Sequence, residues 1–248
     1  MPLLAHLEEL RRRLKYSLVF WGLGIVLAFL LRKPLLEIVS YPHRWTAEKL
    51  GVSPSLYVFR YQDHFVLQFK LFFILGLIFA FPFLLHQGLK FIEPALSPKE
   101  KRALFTIFLP SFLTLFLLGL TFGYFILVPY GLYFLMQFGL SVGLTSIISF
   151  PEYFSLLLFL TFMTGLVFEL PLAMVLLSHI GLLTSENFRE KRRHAILIIF
   201  IVAAVVTPPD PFTQLFLAFP LVFLYEIGIW VTYFVEKKHV AYERSLPI

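Results

Sequence analysis

Cysteine is absent from the 248 residues. That excludes disulfide staples, thiol nucleophiles and thiolate metal sites. Charge is scarce as well: 15% of residues are Asp, Glu, Lys or Arg, against roughly a quarter in an ordinary soluble domain. No glycine-rich phosphate loop, metal-ligand pair or nucleophile–base motif is present, so no cofactor, metal site or catalytic residue is expected. Low-complexity linkers and an inverted repeat of the kind many secondary transporters carry are also absent. His86, His179 and His194 are scattered near the ends of apolar runs and read as ordinary interfacial residues.

Apolar residues fill the chain instead. They make up 59% of it, with 31 Phe, and the mean hydropathy is +0.84. The few charges cluster, leaving long uninterrupted apolar runs that a soluble core cannot hide and a bilayer can. Backbone groups in hydrocarbon must pair within their own segment, so the runs must be helices. The expected fold class is therefore all-α: a polytopic membrane protein, one domain over residues 1–248, with six transmembrane helices. The spans are read at approximately 16–31, 69–89, 104–128, 153–179, 195–206 and 212–235, with a structured cap over 32–68. The first run ends in Arg32-Lys33-Pro34 with no small-residue cleavage site, so it reads as a retained span rather than a signal peptide. The fifth is short. Its 12 residues reach about 18 Å against a hydrocarbon core of about 30 Å. Spans five and six thus read as a short hairpin turning at Pro208-Pro209, with its tip below the surface or the bilayer thinned there.

The basic residues set the orientation. Arg11, Arg12, Arg13 and Lys15 precede span one. Lys90, Lys99, Lys101 and Arg102 follow span two, and Arg189, Lys191, Arg192 and Arg193 follow span four. Lys237, Lys238 and Arg244 follow span six. These are 15 of the 21 Lys and Arg. The other six lie in or beside the first outer segment. Positive residues stay inside, so both termini are expected in the cytoplasm.

Several polar residues stand out against this background. Leu3, Leu7, Leu10 and Leu14 share a helical face that could lie on the membrane surface. On the same stretch, Glu8 with Arg12 and Glu9 with Arg13 have pairing spacing. Ser97-Pro98 with Glu100 reads as a capped helix start. Glu169 sits within an apolar run, where an ionised side chain costs at least about 2.5–3.5 kcal/mol, beside Pro171, which should bend the helix by freeing the carbonyl of Val167. Glu226 is a similar, weaker case. Asp210-Pro211 reads as a helix cap and first position. Thr207 and Gln214 flank it at the hairpin tip, where they could hydrogen-bond an incoming helix. Gly119 and Gly123 form a GxxxG that reads as ordinary packing.

In order, the chain carries His-Leu-x-Glu-Leu-Arg before span one and Phe-Ile-x-Pro-Ala-Leu with a following Glu-x-Arg after span two. Phe-Glu-Leu-Pro follows in span four, then Thr-Pro-Pro-Asp with a Gln before span six. This ordered set resembles the TatC family, the multispan receptor of the twin-arginine protein translocase, over about residues 3–235. The resemblance implies a cytoplasmic face that binds the paired arginines of signal peptides on folded substrates. It implies assembly with single-span TatA- and TatB-like partners, a homo-oligomeric complex in a prokaryotic inner membrane, and export driven by the proton-motive force. Nucleic acid is not an expected partner. The motifs match Glu9, Glu100, Arg11, Phe91, Pro94 and Arg102 to signal-peptide binding, and Pro42 to the periplasmic cap. Glu169 matches the span-four acid, and Thr207, Asp210 and Gln214 the hairpin where a partner helix docks. Carboxylates suit the task, because they grip guanidinium groups through two hydrogen bonds where a basic surface would repel them. The competing readings are a proton- or ion-coupled small-solute transporter using Glu169, and a membrane-embedded enzyme, for which Glu169 lacks a catalytic partner.

Overall fold

The structure, a computed structural model, describes residues 3–95, 101–102, 104–144, 148–179 and 181–244. It is helical nearly throughout. In order come α1 (Leu3–Leu30), α2 (Arg32–Leu50), β1 (Leu56–Tyr57) and α3 (Tyr61–Ile92). α4 (Leu104–Ser141) follows, then β2 (Ile148–Ser149), α5 (Phe150–Val167) and α6 (Leu170–His179). The chain closes with α7 (Ser185–Glu190), α8 (Arg192–Val206) and α9 (Pro211–Arg244). Five helices are long and apolar enough to cross a membrane: Leu7–Leu30, Tyr61–Phe91, Leu104–Ser141, Phe150–His179 and Pro211–Lys237. α8, at 15 residues, reaches about 22 Å and falls short of that length. The chain is an all-α, multi-pass membrane protein.

The N-terminal leucine-faced stretch is not a separate surface helix. It runs into the first span as one helix of 28 residues. No proline or glycine interrupts Leu14-Lys15-Tyr16-Ser17, and Leu, Arg and Glu are strong helix formers. α2 ends at Gly51, whose φ of 65° lets its N–H turn back to the carbonyls of Ala47 and Glu48, a left-handed stop that glycine adopts without strain.

Contacts gather into two compact units: Met1–Leu113 with Leu135–Leu158, and Thr114–Phe134 with Phe159–Ile248. In the first, α1 packs along α3. Phe20 stacks on Phe83 with centroids 4.9 Å apart, and Trp21 Nε1 donates to the Phe73 carbonyl at 3.1 Å. The helices touch backbone to backbone at Gly24, where a Cβ would stand 2.3 Å from the Gly76 oxygen, whereas a Cβ on Gly22 meets nothing within 4 Å. Gly24→Val should therefore cost about 1–3 kcal/mol through overpacking, and Gly22→Val should stay within about 0.5 kcal/mol. Thermal unfolding of the two variants in detergent measures the difference.

The cap segment also belongs to this unit. β1 pairs in parallel with β2, and Tyr153 Oη donates to the Val39 carbonyl of α2 at 2.6 Å. Pro42 is buried inside α2, and its carbonyl accepts from Thr46 Oγ1 at 2.8 Å. Beside it His43, 1% exposed, packs on Tyr153 with centroids 5.4 Å apart, and neither ring nitrogen has a hydrogen-bond partner among the described residues. Burial lowers its pKa from the ordinary 6.5, because the desolvated ring resists charge. The unfolded chain then binds the proton more readily. The stability His43 contributes is full above about pH 6.5 and falls as the pH drops toward the lowered value. Amide exchange in α2, corrected for intrinsic rates, should accelerate at about pH 5.5 relative to about pH 7.5, and His43→Phe should flatten the difference.

In the second unit, α4 meets the latter half of α5 through small residues. A Cβ on Gly119 would stand 2.6 Å from the Thr164 carbonyl, and one on Gly123 would stand 2.2 Å from Thr164 Oγ1. The GxxxG is a packing device, as read from its spacing. α4 widens into π turns at Leu104–Phe108 and Gly123–Leu127. The second comes just before Pro129, which has no N–H to give the turn below it.

Candidate functional site

The residues of interest fall into three groups. The first lies in the first unit, near the start of α1 and the end of α3. Glu9, whose side chain is only 12% exposed, lies 3.0 Å from Arg13 Nη2 and 3.5 Å from Arg12 Nη2. Arg13 Nη1 also donates to Gln87 Oε1 of α3 at 3.3 Å. The i,i+4 spacing of Glu9 and Arg13 forms the expected pair. Arg12, however, turns to Glu9 rather than to Glu8, which stays exposed.

Gln87, buried, was not singled out in the sequence. Its signal was an amide at the end of an apolar span, four residues before Phe91 and so on the same helical face. Phe91 is half-buried, Pro94 is exposed in the 3₁₀ turn Glu93–Ala95, and Arg11 and Arg102 are exposed. Arg11 has no ion pair among the described residues. Glu100, with Ser97 and Pro98, lies outside the described residues. The structure thus joins Glu9 to Arg12, Arg13 and Gln87.

The second group centres on Glu169. The span-four helix breaks between α5 and α6 at Phe168 and Glu169, just before Pro171. This is the expected bend, with the Val167 carbonyl released for want of a proline N–H. Glu169 is 9% exposed. Neither carboxylate oxygen has a hydrogen bond among the described residues. A buried acid without a cation beside it does not strengthen a fold.

Glu226 is different. It holds Arg192 from two sides, with Nε 2.8 Å from Oε1 and Nη2 donating to Oε2 at 2.9 Å. That ion pair ties α8 to α9.

The third group is the tip joining α8 and α9, where every polar residue has a task within the hairpin. Thr207 Oγ1 donates to the Ala203 carbonyl at 2.8 Å. Asp210 Oδ1 accepts the Thr213 N–H at 2.7 Å, the N-cap read from Asp-Pro. Gln214 Nε2 reaches back to the Phe200 carbonyl at 3.2 Å. Phe212 stacks on Phe134 of α4 with centroids 4.2 Å apart. The outer face of α8 presents Leu197, Ile198, Ile201 and Val205, the last 74% exposed.

A family model described as Sec-independent protein translocase protein (TatC) matches residues 5–220. The chain belongs to the TatC family. The family's protein from Aquifex aeolicus is 37% identical over 245 residues, covering 96% of this chain and 97% of that one. That from Listeria innocua is 34% identical over 238 residues, covering 96% and 94%. A crystal structure described as the twin arginine translocase receptor TatC superposes with a TM-score of 0.78 at 34% identity, covering 92% of this chain and 98% of that one. The TatC resemblance read from four short motifs is thereby borne out over nearly the whole length.

Proposed function

We propose that this TatC-family chain is the core receptor of a twin-arginine translocase. It captures the paired arginines of signal peptides on folded proteins at its cytoplasmic face and scaffolds single-span TatA- and TatB-like subunits. Export is then driven by the proton-motive force. The termini lie in the cytoplasm, and the chain resides in a prokaryotic inner membrane as part of an oligomeric complex.

The observation that carries this reading is the Glu9 cluster. A carboxylate mostly shielded from water, already gripped by the chain's own guanidinium groups, is a site built for arginine. Partial burial matters, because fully exposed pairs contribute only about 0–1 kcal/mol. Glu100, Arg11, Phe91, Pro94 and Arg102 complete the proposed peptide site, and Pro42 braces the periplasmic cap. Thr207, Asp210 and Gln214 hold the hairpin in shape, and the apolar face of α8 beside it receives a partner helix. Glu169 serves as the polar contact inside the membrane.

Titration of the purified chain with a fluorescent signal peptide tests the receptor role. A twin-arginine peptide should bind more tightly than its twin-lysine counterpart, since an ammonium cannot reproduce the two-pronged contact. Equal affinity for the two peptides would refute the proposal.

A further inference from the structure

Beyond the peptide site, the second unit carries a small cavity with an unusual lining. About 210 Å³ of space lies among Arg189, Arg192, Ile229, Trp230 and Tyr233. Arg192 is held there by Glu226. Arg189 is exposed, with no ion pair among the described residues, although Glu186 and Glu190 line an adjoining hollow with it. Ile229 is buried and forms an apolar wall, while Trp230 is 59% and Tyr233 44% exposed.

The surroundings fix this cavity in place. α7 begins with a reciprocal cap between Thr184 and Asn187. Glu236 of α9 accepts the Ser185 N–H at 2.9 Å and the Ser178 hydroxyl at 2.6 Å. Tyr225 Oη donates to the Phe188 carbonyl at 2.8 Å. These bonds fasten α7 to α9 and so hold Arg189 beside the aromatic pair. Trp230 and Tyr233 fall in the last turns of the apolar span Pro211–Lys237 within α9. This is the depth at which Trp and Tyr settle at a membrane–water boundary. The basic run Arg189 to Arg193 lies at the same end of the span.

We infer that this cavity binds the phosphate of an anionic phospholipid headgroup. A guanidinium with no ion pair among the described residues gives the anion a forked partner. The exposed Trp230 and Phe234, 57% exposed, open the site toward acyl chains rather than toward water. The volume is below the roughly 300–1,000 Å³ of sites for drug-sized ligands and suits a headgroup. Basic pockets between spans on the cytoplasmic side hold acidic lipids for these reasons.

Native mass spectrometry of the purified chain tests the site, with phosphatidylglycerol and phosphatidylethanolamine supplied in equal amounts. The wild-type chain should retain phosphatidylglycerol preferentially. Arg189→Gln should lower that retention about fivefold, the worth of one basic residue at a membrane surface, while leaving the Arg192–Glu226 pair and the melting temperature intact. Trp230→Leu should lower it as well, and Arg60→Gln, outside this cavity, should not. Unchanged retention in Arg189→Gln, or equal retention of the two lipids, would overturn the inference. So would displacement of the lipid by millimolar inorganic phosphate, which would make a free anion the ligand.

Discussion

Reversing both proposed receptor acids, in a Glu9→Arg/Glu100→Arg chain, is expected to lower capture of a twin-arginine peptide about a hundredfold. Hydrogen bonds to charged groups contribute about 1.5–3 kcal/mol each, and losing two at the low end of that range corresponds to about that factor. Among the described residues Glu9 pairs with Arg12 and Arg13 near the start of α1, and Arg13 bonds Gln87 near the end of α3. The same geometry yields a change of opposite sign. Arg13 occupies Glu9 at 3.0 Å, so an incoming arginine must displace it. Arg13→Gln should raise affinity for the peptide, by up to about fivefold if the internal pair contributes up to about 1 kcal/mol. Capture unaffected by the double reversal would remove the carboxylates from the receptor role.

Glu169→Leu should separate stability from transport. The acid is buried with neither oxygen hydrogen-bonded among the described residues. Replacing an unsatisfied buried polar group with an apolar one of similar shape is neutral or stabilising. The variant should therefore melt at the same temperature as the wild-type chain or a few degrees above it. Transport of a folded twin-arginine substrate into membrane vesicles should nonetheless fall about tenfold. A polar contact between helices within the bilayer contributes up to about 1.7 kcal/mol, which is about that factor. A group that weakens the fold it sits in is retained for function. Loss of stability with transport intact would make Glu169 a structural residue.

Much of this was legible in the sequence, and its failures have physical causes. The broken fourth span followed from Pro171, because a missing N–H leaves the same mark wherever it occurs. The cap at Asp210 was equally local. The continuity of α1 with the first span leaves no mark in the pattern, because amphipathic patterning changes at Tyr16 while helix propensity does not. Gln87, Gly24, Gly76 and His43 were passed over for another reason. Each depends on a partner far along the chain: Gln87 on Arg13, Gly24 on Gly76, His43 on Tyr153. Spacing within one helix carries no trace of such pairs. Thr207 and Gln214 show no partner in the sequence because their acceptors, the carbonyls of Ala203 and Phe200, are backbone groups that a sequence does not display.

The central claim is that Glu9 lies where a signal peptide's arginines arrive. Site-specific photocrosslinking measures this most directly, with a probe at position 9 in membrane vesicles that also contain the single-span subunits. A precursor bearing a twin-arginine signal should crosslink at position 9, and its twin-lysine counterpart should not. A probe at position 214 should give partner-helix adducts instead. Absence of the precursor adduct at position 9, or its equal formation by the twin-lysine precursor, would contradict the account.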